Sequence, residues 1–173
     1  MRRIGVLAVV VVGTLLVAAA AWGGSASRTV QVLDDCEPVS FDAALMDDEA
    51  CVKNGGTTFG EFIGQLITQG RAPAWRFAPE RLKLEAGGSL TATSRGGELH
   101  TFTEVAAFGG GCIDVLNGLL GLTPVAECAG FPGGAFAATA LPAGGSRTVQ
   151  LGTGVHRFEC LIHPWMRTTV TVS

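Results

Sequence analysis

The sequence predicts an all-β fold, an antiparallel β-sandwich preceded by a short helical extension. Apolar residues alternate with period two in short runs: Leu82 and Leu84, Leu90 and Ala92, Val149 and Leu151, Phe158 and Cys160, Val170 and Val172. Such alternation places every second side chain on one buried face of a sheet. Glycine turns such as Gly87-Gly88 and Gly144-Gly145 punctuate the runs, the spacing expected of a sandwich. Helical periodicity is clear in one segment only, where Phe59, Phe62, Ile63, Leu66 and Ile67 recur at i, i+3, i+4, i+7 and i+8.

Taken in order, the chain opens with Arg2-Arg3, an apolar run from Ile4 to Trp22 and the small residues Gly23 to Ser27. Residues 1–26 therefore predict a cleaved export signal, with an uncleaved membrane anchor as the alternative. Either places the folded part outside the cytoplasm, and membrane contact is expected only if the segment is retained. Without Arg2 and Arg3 the formal charge moves from −3 to −5, since 10 basic residues then face 15 acidic ones. An acidic chain with no basic cluster excludes nucleic acid as a partner class.

Residues 27–70 read as an N-terminal extension. Asp34-Asp35 and Asp47-Asp48-Glu49 read as solvated faces, without the spacing of a calcium loop. Thr58 and Glu61 form a capping-box pair at the start of the helical segment, and Gly70 supplies its C-terminal stop. That helix is expected to dock on its own domain. Residues 71–173 form the main domain, entered past Pro73 and Pro79. Its stretch from Ala106 to Gly145 is glycine-dense and loop-rich, with a short helix expected around Val115 to Leu120. The triplet Gly109-Gly110-Gly111 has no following Gly-Lys-Ser/Thr and reads as surface loop.

Five cysteines are present. In an oxidising compartment thiols pair, and an odd count leaves one over. Cys36, Cys51, Cys112 and Cys128 allow three connectivities. Neighbour pairing, Cys36–Cys51 and Cys112–Cys128, is expected because it closes short loops.

Cys160 has a different task. The stretch Phe158-Glu159-Cys160-Leu161-Ile162-His163-Pro164-Trp165-Met166 spaces a thiolate, an imidazole and a thioether by two residues each time. Soft sulfur ligands select copper(I), and two histidines, a cysteine and a weak axial methionine make the blue-copper set. A second histidine must come from elsewhere, and the chain has three. His156 lies four residues before Cys160 on one strand, roughly 13 Å along it, and reads as a core-edge histidine. His100, opening the segment Thr101-Phe102-Thr103 after Gly96-Gly97, remains. The expected metal ligands are His100, Cys160, His163 and Met166. Zinc suits the same donors, and a Cys160 nucleophile paired with His100 is the catalytic alternative.

A histidine opening a strand, then C-x-x-H-x-x-M before a final strand, resembles the cupredoxins over roughly Ala74 to Ser173. The two residues between His163 and Met166 resemble the short ligand loop of amicyanin and pseudoazurin, and the longer plastocyanin spacing fits less well. Thr101 departs from the pattern: plastocyanins and azurins place there an asparagine that braces the ligand loop. The resemblance implies a Greek-key sandwich holding one copper ion that cycles between Cu(I) and Cu(II). It implies a monomeric electron carrier between redox protein partners, not an enzyme. Multicopper relatives need further histidines, and too few are left. It also implies that the His163 ring edge reaches solvent as the electron port, with Pro164 and Trp165 in the docking patch. Glu159 and Arg167 are candidates for steering partners. Copper storage or delivery without redox shuttling is the alternative function.

Overall fold

The computed structural model describes residues 26–173; the export segment expected over residues 1–26 lies outside them but for its last residue. Ten strands and four helices follow in the order β1 (Arg28–Leu33), α1 (Pro38–Leu45), α2 (Phe59–Gln69), β2 (Arg76–Ala78), β3 (Arg81–Leu84), β4 (Ser89–Ser94), β5 (His100–Thr101), β6 (Thr103–Glu104), α3 (Asp114–Leu120), α4 (Gly134–Thr139), β7 (Ala140–Leu141), β8 (Ser146–Gln150), β9 (Gly154–Glu159) and β10 (Arg167–Val172). No helix among these residues is long and apolar enough to cross a membrane.

The strands form two four-stranded sheets, ordered β2-β1-β4-β8 and β3-β10-β9-β6, with β5 and β7 as a small separate pair. Most pairings are antiparallel, as the alternation predicts. Two are parallel, β1 with β4 and β3 with β10, so each sheet is mixed. Parallel neighbours need long crossovers. Those between β1 and β4 and between β3 and β10 carry helices and loops to the end of the sandwich where His100 and Cys160 lie.

The inward-facing residues are the alternating set. Leu90 and Ala92 of β4 are fully buried, as are Phe158 and Val170 of the facing sheet. Phe102 bridges the layers: it stacks on Phe158 with centroids 4.3 Å apart and meets Phe77 of β2 edge-on at 5.3 Å. Each buried ring of this kind contributes about 1.5–3 kcal/mol.

The boundary expected near residue 70 does not separate an extension from a domain. β1 is an inner strand of the first sheet, and its Val30 and Val32 are fully buried. Their period-two spacing was present in the sequence, but the six-residue strand precedes a long helical segment and so reads as part of it. The sandwich begins at Arg28, and the segment between β1 and β2 is an insertion that folds back over one end.

The helices of this insertion start where the sequence predicts. Thr58 accepts from the Glu61 N–H, Glu61 accepts from the Thr58 N–H, and Gly70 closes α2 with φ of 66°. Pro38 opens α1, and the Glu37 carboxylate accepts from the N–H groups of Val39 and Ser40. α2 docks on its own domain through Phe62 and Leu66, while Ile67 at the end of the expected face is exposed. Phe41, Phe59, Phe62 and Trp75 make an aromatic cluster, the closest pair being Phe62 and Trp75 at 4.7 Å. Both neighbour disulfides form, Cys36–Cys51 and Cys112–Cys128. The second encloses α3, the short helix expected there.

Candidate metal centre

Cys160 directly follows β9, and β10 begins at Arg167, so the ligand loop is the connection between two antiparallel strands. Hydrogen bonds close it on itself. The Met166 N–H donates to the His163 carbonyl at 2.8 Å, and the Cys160 N–H donates to the Met166 carbonyl at 3.1 Å. Its two ends are clamped from outside. Arg167 and Glu159 stand opposite each other in the β9–β10 register, and Arg167 Nε donates to Glu159 Oε2 at 3.0 Å. Glu159 has no exposed surface, and burial pushes its pKa up to about 7 against the lowering charge of Arg167. This pair ties the two ends of the loop together.

His100 opens β5, on the far side of the loop. Its Nδ1 lies 3.8 Å from Cys160 Sγ and 3.3 Å from His163 Nδ1, and His163 Nδ1 lies 3.8 Å from the same sulfur. A point equidistant from these three atoms is about 2.1 Å from each, which falls in the ~2.0–2.3 Å range of metal–nitrogen and metal–thiolate bonds. All three side chains are buried. The donor set thus fits a metal ion that takes two imidazoles and a thiolate. Met166 is fully buried in the same core cluster as Cys160. His156 stands apart, bonded to Glu104 Oε1 at 2.6 Å and to the Gly152 carbonyl at 2.8 Å.

The residue that aims His100 comes from the end of β1. Asp34, read from the sequence as a solvated charge, is buried, and its Oδ2 lies 2.7 Å from His100 Nε2. A carboxylate on Nε2–H leaves the Nδ1 lone pair for a metal and fixes the ring. The Gly96-Gly97 turn wraps this carboxylate: Gly97 N–H donates to Oδ1 at 2.8 Å and Glu98 N–H to Oδ2 at 3.2 Å. A Cβ at Gly96 would overlap the Asp34 carboxylate, so the turn admits only glycine there. Burial raises the Asp34 pKa, but the hydrogen bond and charge of His100 and the two backbone donors win and hold it at about 2. Burial likewise lowers that of His100, but Asp34 and the Cys160 sulfur raise it to about 10. Cys160 is pushed up by burial and pulled well below the usual thiol range by its bonds to His100 and His163. The thiolate, the form that binds metal, is favoured.

Thr101 takes the task that the resemblance assigns to an asparagine. Its Oγ1 accepts from the Leu161 N–H at 2.8 Å, and its own N–H points at Cys160 Sγ at 3.4 Å. Thr103 donates to the same hydroxyl at 3.0 Å. The loop is braced across 60 residues by a shorter side chain.

The expected electron port is not on the surface. His163 is 3 % exposed, Pro164 is buried and Trp165 is half-buried. Phe62 of α2 lies over the histidine, with ring centroids 6.1 Å apart at 86°, and also packs on Trp165 at 5.9 Å. His163 Nε2 points to Glu98 Oε2 at 3.8 Å, and Trp75 Nε1 donates to that same oxygen. Glu98, unremarked in the sequence, is buried, and burial raises its pKa against the nearby charge of His163.

A histidine-opened strand, a closing loop that carries Cys160, His163 and Met166, and a final strand paired to the strand before it make this a cupredoxin-like sandwich. Solved structures similar to it include a purple cupredoxin from Nitrosopumilus maritimus, at 19% identity over 62% of this chain and 90% of that one, with a TM-score of 0.41. Others are a mutant fern plastocyanin, at 17% identity over 84% and 100% with a TM-score of 0.40, and a methionine-to-alanine mutant of amicyanin with Cu(I), at 16% over 57% and 73% with a TM-score of 0.37. No residue role in this chain rests on them. No protein-family model matches the chain, and no curated protein matches it.

Proposed function

We propose that this protein is an exported blue-copper carrier. It binds one copper ion through His100, Cys160, His163 and Met166 and passes single electrons between redox protein partners. The observation that supports this most directly is the convergence of His100 Nδ1, His163 Nδ1 and Cys160 Sγ on one buried point. Copper held there would supply a Cu(I)/Cu(II) couple. The chain's part is to keep the donors still. Asp34 fixes His100, Thr101 and the Glu159–Arg167 pair fix the loop, and the closed backbone ring fixes His163 and Met166 relative to Cys160. A centre that cannot relax on gaining an electron reorganises little, which suits transfer over catalysis. The two disulfides accord with an oxidising compartment.

The test is the visible and EPR spectrum of the protein titrated with Cu(II) and then reduced. An intense blue to purple thiolate band with narrow copper hyperfine splitting, bleached by ascorbate, is expected. Cys160→Ser should abolish it, and a band that persists there would overturn the ligand assignment. Met166→Leu should retain copper and raise the reduction potential, because a weak donor is lost; voltammetry showing no change would remove Met166 from the ligand set.

One observation favours the second reading, copper storage or delivery. His163 is only 3 % exposed, whereas a shuttle needs a short path to its partner. A colourless protein that takes up and releases Cu(I) would establish that reading.

A further inference from the structure

The insertion between β1 and β2 does not merely bury His163; it leaves a cavity beside it. The cavity has a volume of about 640 Å³, within the range of small-molecule sites. Phe41, Phe59 and Phe62, which pack on one another, line it together with Ile113, Leu116 and Ile162. Leu45, Val115 and Leu119 on its lining are exposed and mark its mouth, while Glu98 and His163 are its buried polar residues.

Glu98 is the informative member. Its side chain is nine-tenths buried, and Oε2 is already engaged by Trp75 and faces His163. Oε1 has no hydrogen-bond partner among the described residues. Oε1 retains accessible surface where Glu98 lines the cavity, so a hydroxyl that enters can donate to it. The walls supply the complementary demand, for an apolar body, and three phenyl faces and edges favour a flat ring.

We propose that this cavity is a binding site for a small uncharged aromatic alcohol, a phenol or hydroquinone of one or two rings, with its hydroxyl donating to Glu98 Oε1 and its ring held between α2 and α3. The ligand would lie against the His163 face that points away from Cys160. Binding depends on the cavity and not on the bound metal.

The probe is 1-naphthol, titrated into the metal-free and the copper-loaded protein by calorimetry, with amide chemical shifts followed on the metal-free form. Saturable binding at about 100 μM or tighter is expected for a ligand of this size. Shifts should concentrate at Phe62, Ile63, Ile113 and His163. Naphthalene, which lacks the hydroxyl, should bind at least tenfold more weakly. Ile63→Trp, which fills the cavity, should abolish binding; Leu119→Trp, at an exposed rim position, should weaken it and serves if the first variant does not fold. Equal affinity for naphthol and naphthalene, shifts centred elsewhere, or unaltered binding by both variants would overturn the proposal. So would sedimentation showing a dimer with these residues at its interface, since a second copy would then be the occupant. Because the metal-free protein is read directly, failure here leaves the copper reading standing, and a protein that binds naphthol without forming a copper band would separate the two the other way.

Discussion

His100 and His163 present the same atom, Nδ1, to the same point beside Cys160, yet they are held in opposite ways. His100 is fixed by charge and hydrogen bonding: Asp34 grips Nε2 at 2.7 Å, and a glycine turn donates two backbone N–H groups to that carboxylate. His163 is fixed by its loop and by packing. Its Nε2 has only a distant carboxylate at 3.8 Å, and phenyl and indole rings surround it. A carboxylate at 2.7 Å sets tautomer and orientation together. Rings restrain position but set no proton. The site therefore has one stiff polar side, built from the end of β1, and one apolar side, built from the insertion that β1 introduces.

The largest effect should come from breaking the stiff side. Asp34→Asn removes the charge that His100 needs and is expected to lower metal affinity by about 10–100-fold and unfolding stability by about 3–5 kcal/mol, as for loss of one partner of a buried pair. Competition with a chromophoric chelator and urea unfolding would measure the two. Equal loss in Glu98→Gln would erase the distinction between the histidines.

Next is the apolar side. Phe62→Ala should cost about 3–5 kcal/mol in stability while leaving metal affinity within about threefold, since Phe62 bonds to no ligand atom. If His163 is the route for electrons, uncovering it should raise the self-exchange rate at least tenfold, read by NMR line broadening. An unchanged rate in a folded variant would place the route elsewhere.

The loop brace comes third. Thr101→Val leaves the buried Leu161 N–H without its acceptor and should cost about 1–3 kcal/mol, with a shift of the thiolate band as the loop relaxes. Urea midpoints and the visible spectrum report on both.

The smallest effect lies away from both histidines. His156 is bonded to Glu104, which raises its pKa above the ordinary 6.5. A raised histidine contributes stability fully present below pH 6.5 and lost as pH climbs through the folded-state value. The pair is solvent-accessible, so His156→Gln should lower Tm by about 1–2 °C at pH 6 and by less at pH 9. A loss that grows with pH would reverse the assignment.

Much of the molecule was legible before its structure. The alternating runs mark β3, β4, β8, β9 and β10; Thr58, Glu61 and Gly70 mark α2; the spacing of Cys160, His163 and Met166 marks the loop. These are short-range features. Strand alternation, helix caps and a seven-residue loop are set by neighbours in the chain, and so were the two disulfides that close short loops. The parallel pairings of β1 and β3 depend on which strands meet after long crossovers, and no local period encodes that.

The amino-acid sequence by itself determined the chemistry of the donors and the strands that carry most of them, because ligand type and residue period are local properties. Tertiary structure alone decided what surrounds the donors. Asp34 lies 66 residues from His100, and nothing near it in the chain distinguishes a buried carboxylate from a solvated one. Glu98 and Phe62 acquire their roles only when the insertion folds over His163, closing the face that the resemblance leaves open. Burial and contact across distant segments depend on how whole elements pack, and only the packed sandwich settles them.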